Sequence, residues 1–295
     1  MKTPVRILSA ALLVGALATG ATAMVMQNDT PPASRPGDAM VGEWGTNASA
    51  VAIDPNYVLT TCHQGGGVGS VVALGGVAYQ VTAVADNGAD LRVARVARMD
   101  GTPAELAQVA ALFTGADASL VGSQVVLGGF GQGRGSVLTT GGVASGYNWA
   151  GSGSMAERWG TNTIDRVASG FLIADFDAPG TGTANEAIIA AGDSGGGWFT
   201  LSGGRWTLVG LTSGGQRVGT AYFSPADLFW GGEVSANAAW IQSIVTAGNA
   251  AAGTERVSPI PEPGRMGLLA VGGAMWLASR RRRGARPLGG LVRRR

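Results

Sequence analysis

Ala48-Ser49-Ala50-Val51-Ala52-Ile53-Asp54-Pro55-Asn56-Tyr57-Val58-Leu59-Thr60-Thr61-Cys62-His63 is the stretch from which the fold can be read. Two short apolar runs, Ala48–Ile53 and Tyr57–Thr61, flank a turn-forming triplet. Runs of this length, rich in β-branched residues and bounded by turn signals, predict strands. The texture recurs at Gly69–Leu74, Val77–Val84 and Leu91–Val96, then at Gln124–Leu127, Gly135–Thr140, Arg166–Phe176, Ala187–Ala190, Gly197–Leu201, Trp206–Leu211 and Gly219–Phe223. Between the two groups, residues 97–119 carry Pro103-Ala104-Glu105-Leu106-Ala107 and read as a connection between domains. No long helical period occurs before residue 230. Residues 234–247 then predict a helix, with Ser235 as cap and Ala239, Trp240, Ile244 and Val245 as its apolar face. Glycine is abundant, at 50 of 295 residues, but 45% hydrophobic and only 14% charged residues argue for a packed chain rather than a disordered one. The expected class is all-β.

The chain has one histidine, His63. Far downstream stands Gly192-Asp193-Ser194-Gly195-Gly196. Serine is a weak nucleophile until a base takes its proton, and histidine is the side chain that titrates near neutrality unperturbed. His63 is therefore the candidate base and Ser194 the candidate nucleophile. Asp90, Asp86 and Asp54 are candidates for the acid that orients the base, and Asp193 reads as structural. The single cysteine, Cys62, allows no intramolecular disulfide. A Cys62–His63 dyad is discounted, because neighbours on an extended strand point to opposite faces. No Cys/His cluster suggests a metal site, and no cofactor is expected.

Charge is segregated. All 19 acids lie between residues 24 and 263, beside ten arginines, so that stretch carries a net of −9 although the whole chain is at +2. The excess of arginine lies at the ends, so the basic balance does not point to nucleic acid. Lys2 and Arg6, the apolar Ile7–Leu17 and the small residues Ala21-Thr22-Ala23 read as a signal peptide over residues 1–23, to be removed by signal peptidase. Residues 24–41 read as a proline-rich lead-in.

These residues resemble the trypsin/chymotrypsin-like serine proteases. Val58-Leu59-Thr60-Thr61-Cys62-His63 is similar to the family's histidine motif, and Ala50–Asn56 to the strand and turn before it. Gly192–Gly196 matches the serine motif. Asp90-Leu91-Arg92-Val93-Ala94 approximates the aspartate motif, which favours Asp90. Leu208–Gly215 resembles the substrate-binding strand, and Trp240–Ile244 the closing helix. The likeness covers residues 42–247. It implies two antiparallel β-barrels with a C-terminal helix and endopeptidase activity on peptide or protein substrates. It also implies a catalytic set of His63, Asp90 and Ser194, with the N–H groups of Gly192 and Ser194 as oxyanion hole. Substrate would be bound by Ile188, Ser213, Gly214 and Gly215. Ile188 stands where trypsins carry an acidic selector, so the resemblance implies a small or apolar P1 side chain. Gly214 replaces the family's usual aromatic on the binding strand, a departure that loosens the site. The activation sequence Ile-Val-Gly-Gly is missing, which speaks against activation through a new N-terminus. The alternative reading is a catalytically inactive protease-like module that binds a surface or matrix.

After a linker at 248–260, Pro261-Glu262-Pro263 precedes an apolar run, 266–279, and then Arg280–Arg283. Residues 261–295 resemble the PEP-CTERM sorting signal, which implies an exosortase-type processing enzyme and transient membrane insertion. The run of 14 residues is about 21 Å long as a helix, short of the roughly 30 Å of hydrocarbon. A secreted or cell-surface product in a bacterial envelope is the expectation.

Overall fold

The computed structural model describes residues 24–257. The leader (1–23) and the sorting segment (261–295) expected above lie outside the described residues. The fold is all-β with one C-terminal helix.

Six strands form a closed antiparallel barrel: Val41–Trp44, Ala48–Asp54, Tyr57–Thr61, Leu91–Arg98, Val77–Asp86 and Val71–Leu74, the last pairing back to the first. Alternation explains why short, small-residue strands suffice. Ala48, Ala50, Ala52, Val58, Ala94 and Val96 fill one core with Trp44, Val72, Leu74 and Tyr79. The intervening residues Val51, Leu59, Leu91 and Val93 belong to a second core shared with Phe199, Leu208, Leu211, Val126 and Trp159. Ala48–Asp54, Tyr57–Thr61 and most of Leu91–Arg98 are buried on both faces, so they lack the regular polar alternation of a half-exposed strand.

The second β-unit is a curled half-barrel. Its strands run Arg158–Thr163, Gln124–Gly129, Gly197–Ser202, Arg205–Gly215, Ser224–Glu233, Phe171–Phe176 and Arg166–Ala168, with Ala111–Leu112 alongside Thr207–Leu208. Asn162 donates to the Asp175 carbonyl at 2.7 Å, so a side chain ties the first strand to Phe171–Phe176, to which no ladder joins it. Its core holds Leu127, Ile164, Leu172, Phe176, Ile188, Trp198 and Phe229. The hairpin Arg134–Thr140/Val143–Trp149 and Thr220–Tyr222 make a separate three-stranded sheet.

Residues 97–119 run between the two units, the first part laid against the first barrel and Ala111–Leu112 paired with the second. Ala104 and Leu106 are buried, and the Ala110 amide donates to Ala52. The strand expected over Arg166–Phe176 is interrupted at Ser169-Gly170, both at positive φ. Ser235 does not cap the helix. It opens a 3-10 turn and donates to Asp117, and the helix runs Ala238–Val257, continuing through Gly248 where a linker is expected. Ala247, Ala250, Ala251 and Ala252 offset the glycines. Ile241 is buried, with Trp240, Ile244 and Val245 packed on the shared core. No helix among the described residues is long and apolar enough to cross a membrane.

Candidate active site

The strand Tyr57–Thr61 ends in a 3-10 turn, Cys62–Gln64, that turns His63 out of the barrel. Its neighbour strand begins at Leu91, paired with Thr61. Asp90, 27 positions along the chain from His63, is thereby placed beside it. The Cys62 amide donates to the Asp90 carbonyl at 3.1 Å, and the His63 amide to Asp90 Oδ1 at 2.8 Å. Asp90 sits at φ +60°, a strained setting for a residue other than glycine. The Asn87 side chain holds it there, accepting from Ala89 and Leu91 at 3.1 Å.

From this turn a chain of hydrogen bonds runs outward. His63 Nδ1 lies 2.6 Å from Asp90 Oδ2, and His63 Nε2 lies 3.0 Å from Ser194 Oγ. Ser213 Oγ donates to Asp90 Oδ2 at 3.3 Å. With the carboxylate accepting from Nδ1–H, Nε2 is left as an acceptor for the serine proton. Asp86 is committed elsewhere: both of its oxygens take 2.7 Å bonds from Arg92. That guanidinium lowers the Asp86 carboxyl below its ordinary range. Asp54 closes its own turn on the Asn56 amide. Cys62 is on the 3-10 turn rather than a strand. Burial raises its thiol, with the Asp86 charge adding to the shift.

Two glycines shape the serine turn. Gly192 has φ +96°, and a Cβ there would lie 2.5 Å from Met155 Cε. Gly195 has φ +83°, and a Cβ would lie 2.1 Å from the Ser49 carbonyl oxygen. Only glycine fits either position. Ser49 is buried among apolar neighbours. Its hydroxyl donates to the Gly192 carbonyl at 2.9 Å and accepts from the Phe130 amide, while its own amide donates to Ser194 O at 2.8 Å. The carbonyls of Gly192, Asp193 and Ser194 are occupied, whereas the N–H groups of Gly192 and Ser194 make no hydrogen bond among the described residues. Those two donors are free for an oxyanion.

Asp193 is fully buried. Its oxygens accept from Gly131 and Ala190, each at 2.8 Å, and from the Met24 amide. Burial pushes its carboxyl up to about 7, against these N–H bonds and the more distant charge of Arg158. Met24 is itself buried at φ +59°, and Val25–Met26 pair antiparallel with Ile188 and Ala187. Without an Ile-Val-Gly-Gly sequence, the segment that follows the expected cleavage point still reaches the serine turn. The lead-in is held further along: Arg134 pairs with Asp29 at 2.8 Å, and the Arg35 guanidinium stacks over Trp159.

The residues expected to bind substrate are only partly where they were placed. Ser213, Gly214 and Gly215 form the end of a strand beside Asp90. Ile188 is buried in the core of the second unit and backbone-paired to Val25. Of the two isoleucines, it is the next residue, Ile189, that lies against the end of this strand, beside Phe229. A Cβ on Gly215 would stand 3.6 Å from Ile189 Cδ1 and 3.5 Å from Phe229 Cβ. Ile189, Ser49, Asn87 and Met24 escape sequence reading because each is an ordinary residue in an apolar or turn context. Among the described residues no cluster of His, Cys, Asp or Glu could hold a metal ion.

Elsewhere, Asp165, Asp175, Asp177 and Glu186 gather at the seam of the half-barrel. Burial raises Asp175 to about 6 and Glu186 to about 7, with neighbouring carboxylates adding to both. No family model matches the chain, and no curated protein does.

Proposed function

We propose that this chain is a serine endopeptidase that cleaves peptide bonds outside the inner membrane. One observation carries the reading: the unbroken line Asp90–His63–Ser194, at 2.6 and 3.0 Å, ends beside two unengaged backbone donors. In this reading Ser194 Oγ attacks the carbonyl carbon as His63 Nε2 takes its proton. The oxyanion is received by the Gly192 and Ser194 amides, a contribution of about 3 kcal/mol per donor. The imidazolium, held by Asp90, then protonates the leaving amine, and water repeats the cycle on the acyl-enzyme. Ile189 and Phe229 fill the space beside Gly215, which suits a small or apolar P1 side chain. Export through the leader and sorting through the C-terminal segment complete the proposal.

The test is labelling of Ser194 by a fluorophosphonate, together with hydrolysis of peptides with Ala or Val at P1. Wild-type protein should label and hydrolyse, and Ser194→Ala should do neither while keeping its fold. A folded wild-type chain that never labels would leave the inactive binding module as the better reading.

A further inference from the structure

The strand Arg205–Gly215 is paired on one side only at its end. Gly214 stands opposite Trp230 and Gly215 opposite Phe229. On the other side the ladder with Gly197–Ser202 stops at Leu211. The edge Ser213–Gly215 therefore borders no strand on the side of Ser194 among the described residues, and an extended peptide can add there.

The two faces of this edge differ. On the Gly215 face lie Ile189 and Phe229. On the Gly214 face lies the indole of Trp230: a Cβ on Gly214 would be 3.1 Å from Cζ2 and 3.2 Å from Cε2 and Nε1. Trp230 is partly exposed, unlike the fully buried Phe229. The ring therefore occupies the place over residue 214 that any side chain there would need. The next strand thus supplies an aromatic over a position that carries no side chain.

We propose that the Trp230 indole is a specificity wall for the second and fourth substrate residues before the scissile bond, selecting apolar side chains at P2 and P4. The inference rests on the endopeptidase reading. Side chains of an added strand alternate between faces. If P1 lies against Ile189 and Phe229, P2 and P4 fall on the Trp230 face. The flanking edge is Gly214-Gly215, which offers no side chain of its own, so the indole is the apolar surface these residues can cover.

The experiment compares Trp230→Ala, Trp230→Phe and wild type on three probes: a fluorophosphonate, a short acetyl-alanine ester, and tetrapeptide anilides with Ala at P1 and P3. The anilides carry Leu, Gly or Asp at P2 and P4. Wild type should prefer Leu over Gly at least tenfold in kcat/KM. Trp230→Ala should lose that preference, with KM rising for the Leu peptide, while labelling and ester hydrolysis stay within twofold. Trp230→Phe should keep most of it. A double variant, Gly214→Trp with Trp230→Ala, restores an aromatic from the other strand and should recover the preference. Loss of ester and anilide hydrolysis to the same degree would assign Trp230 a structural role and overturn the proposal. An unchanged Leu preference in Trp230→Ala would overturn it too. Should Trp230→Ala not fold, the wild-type preference and Trp230→Leu on the same anilides decide it, with no Leu preference in wild type counting against it. Absence of labelling in wild type would instead sink the endopeptidase reading.

Discussion

Consider the chain made to begin at Met24, with its amine either free or acetylated. The Met24 nitrogen already donates to Asp193, whose carboxyl burial has pushed up to about 7 from 3.8. In the acetylated chain this nitrogen remains an amide, and the acid has no adjacent cation. An acid whose folded pKa is raised binds more protons folded than unfolded. It therefore costs nothing below about pH 4, and the cost grows until about pH 7. Three units at 1.36 kcal/mol each make that cost about 4 kcal/mol above pH 7. A free α-ammonium at the same position favours the carboxylate and lowers such a group by about 1 to 3 units. It recovers about 1 to 4 kcal/mol. The amine, raised by its partner, keeps its charge through about pH 8 and loses it above its raised value.

The stability difference between the two chains should therefore be small at pH 4 and largest near pH 7 to 8. It should shrink again at higher pH. Urea midpoints across this range measure it. Labelling of Ser194 should follow, because the Asp193 carbonyl accepts from Gly196 and its amide donates to Ala190, tying the carboxylate to the turn that aims the oxyanion donors. At pH 7.5 the free chain should label at least tenfold faster. Equal midpoints and equal labelling rates at that pH would refute the reasoning.

Asp90→Asn should present an amide N–H to His63 Nδ1, forcing the tautomer that cannot accept the serine proton. kcat should fall about 10⁴-fold with the fold retained, as read by circular dichroism and initial rates. Ile189→Ala should widen the P1 preference from Ala or Val toward Leu and Phe, seen as at least a tenfold change in the ratio of kcat/KM values on paired anilides. Gly195→Ala should cost more than about 3 kcal/mol or prevent folding, given a Cβ 2.1 Å from a carbonyl oxygen. Gly69→Ala, also at positive φ but with open space around it, should cost about 1 kcal/mol by urea unfolding. Asp175, raised to about 6 by burial and by Asp165 and Asp177, opposes folding as pH climbs from about 4 to 6, so Asp175→Asn should stabilise the protein at pH 8. Solvent screening limits that gain to about 1 kcal/mol, measured as a Tm difference that vanishes at pH 4.

What was legible in the sequence followed from local rules. The strands of the first barrel are short apolar runs between turn residues, and pairing of Thr61 with Leu91 brings His63 to Asp90 by register alone. The motif around Ser194 is legible for a similar reason: two glycines at positive φ permit few alternatives. The strands that were missed are those whose pattern is set by distant partners. Arg158–Thr163 buries polar residues, satisfied by the Asn162 bonds to Asp175, Glu186 and Ala187. Val143–Trp149 exposes its first residues, and Ser224–Glu233 opens on Ser-Pro.

The apolar surroundings of Gly214 and Gly215 were less legible than the Asp90–His63–Ser194 line, and the geometry gives the reason. A proton relay needs particular chemical groups at 2.6 to 3.0 Å, so few residue types can serve and their motifs persist in the sequence. A wall for an apolar side chain needs only bulk in the right place, and any strand that passes nearby can supply it. Gly214 and Trp230 are 16 positions apart, yet they meet because the strands holding them pair in register. Ile188 and Ile189 differ by one position, and the side chain adjoining Gly215 is that of Ile189. Register, which shifts by bulges such as the one between Thr212 and Gly214, decides which apolar residue stands beside this edge. The same logic places Met24: Val25 pairs with Ile188, so the residue before it reaches Asp193 although its own sequence carries no activation motif.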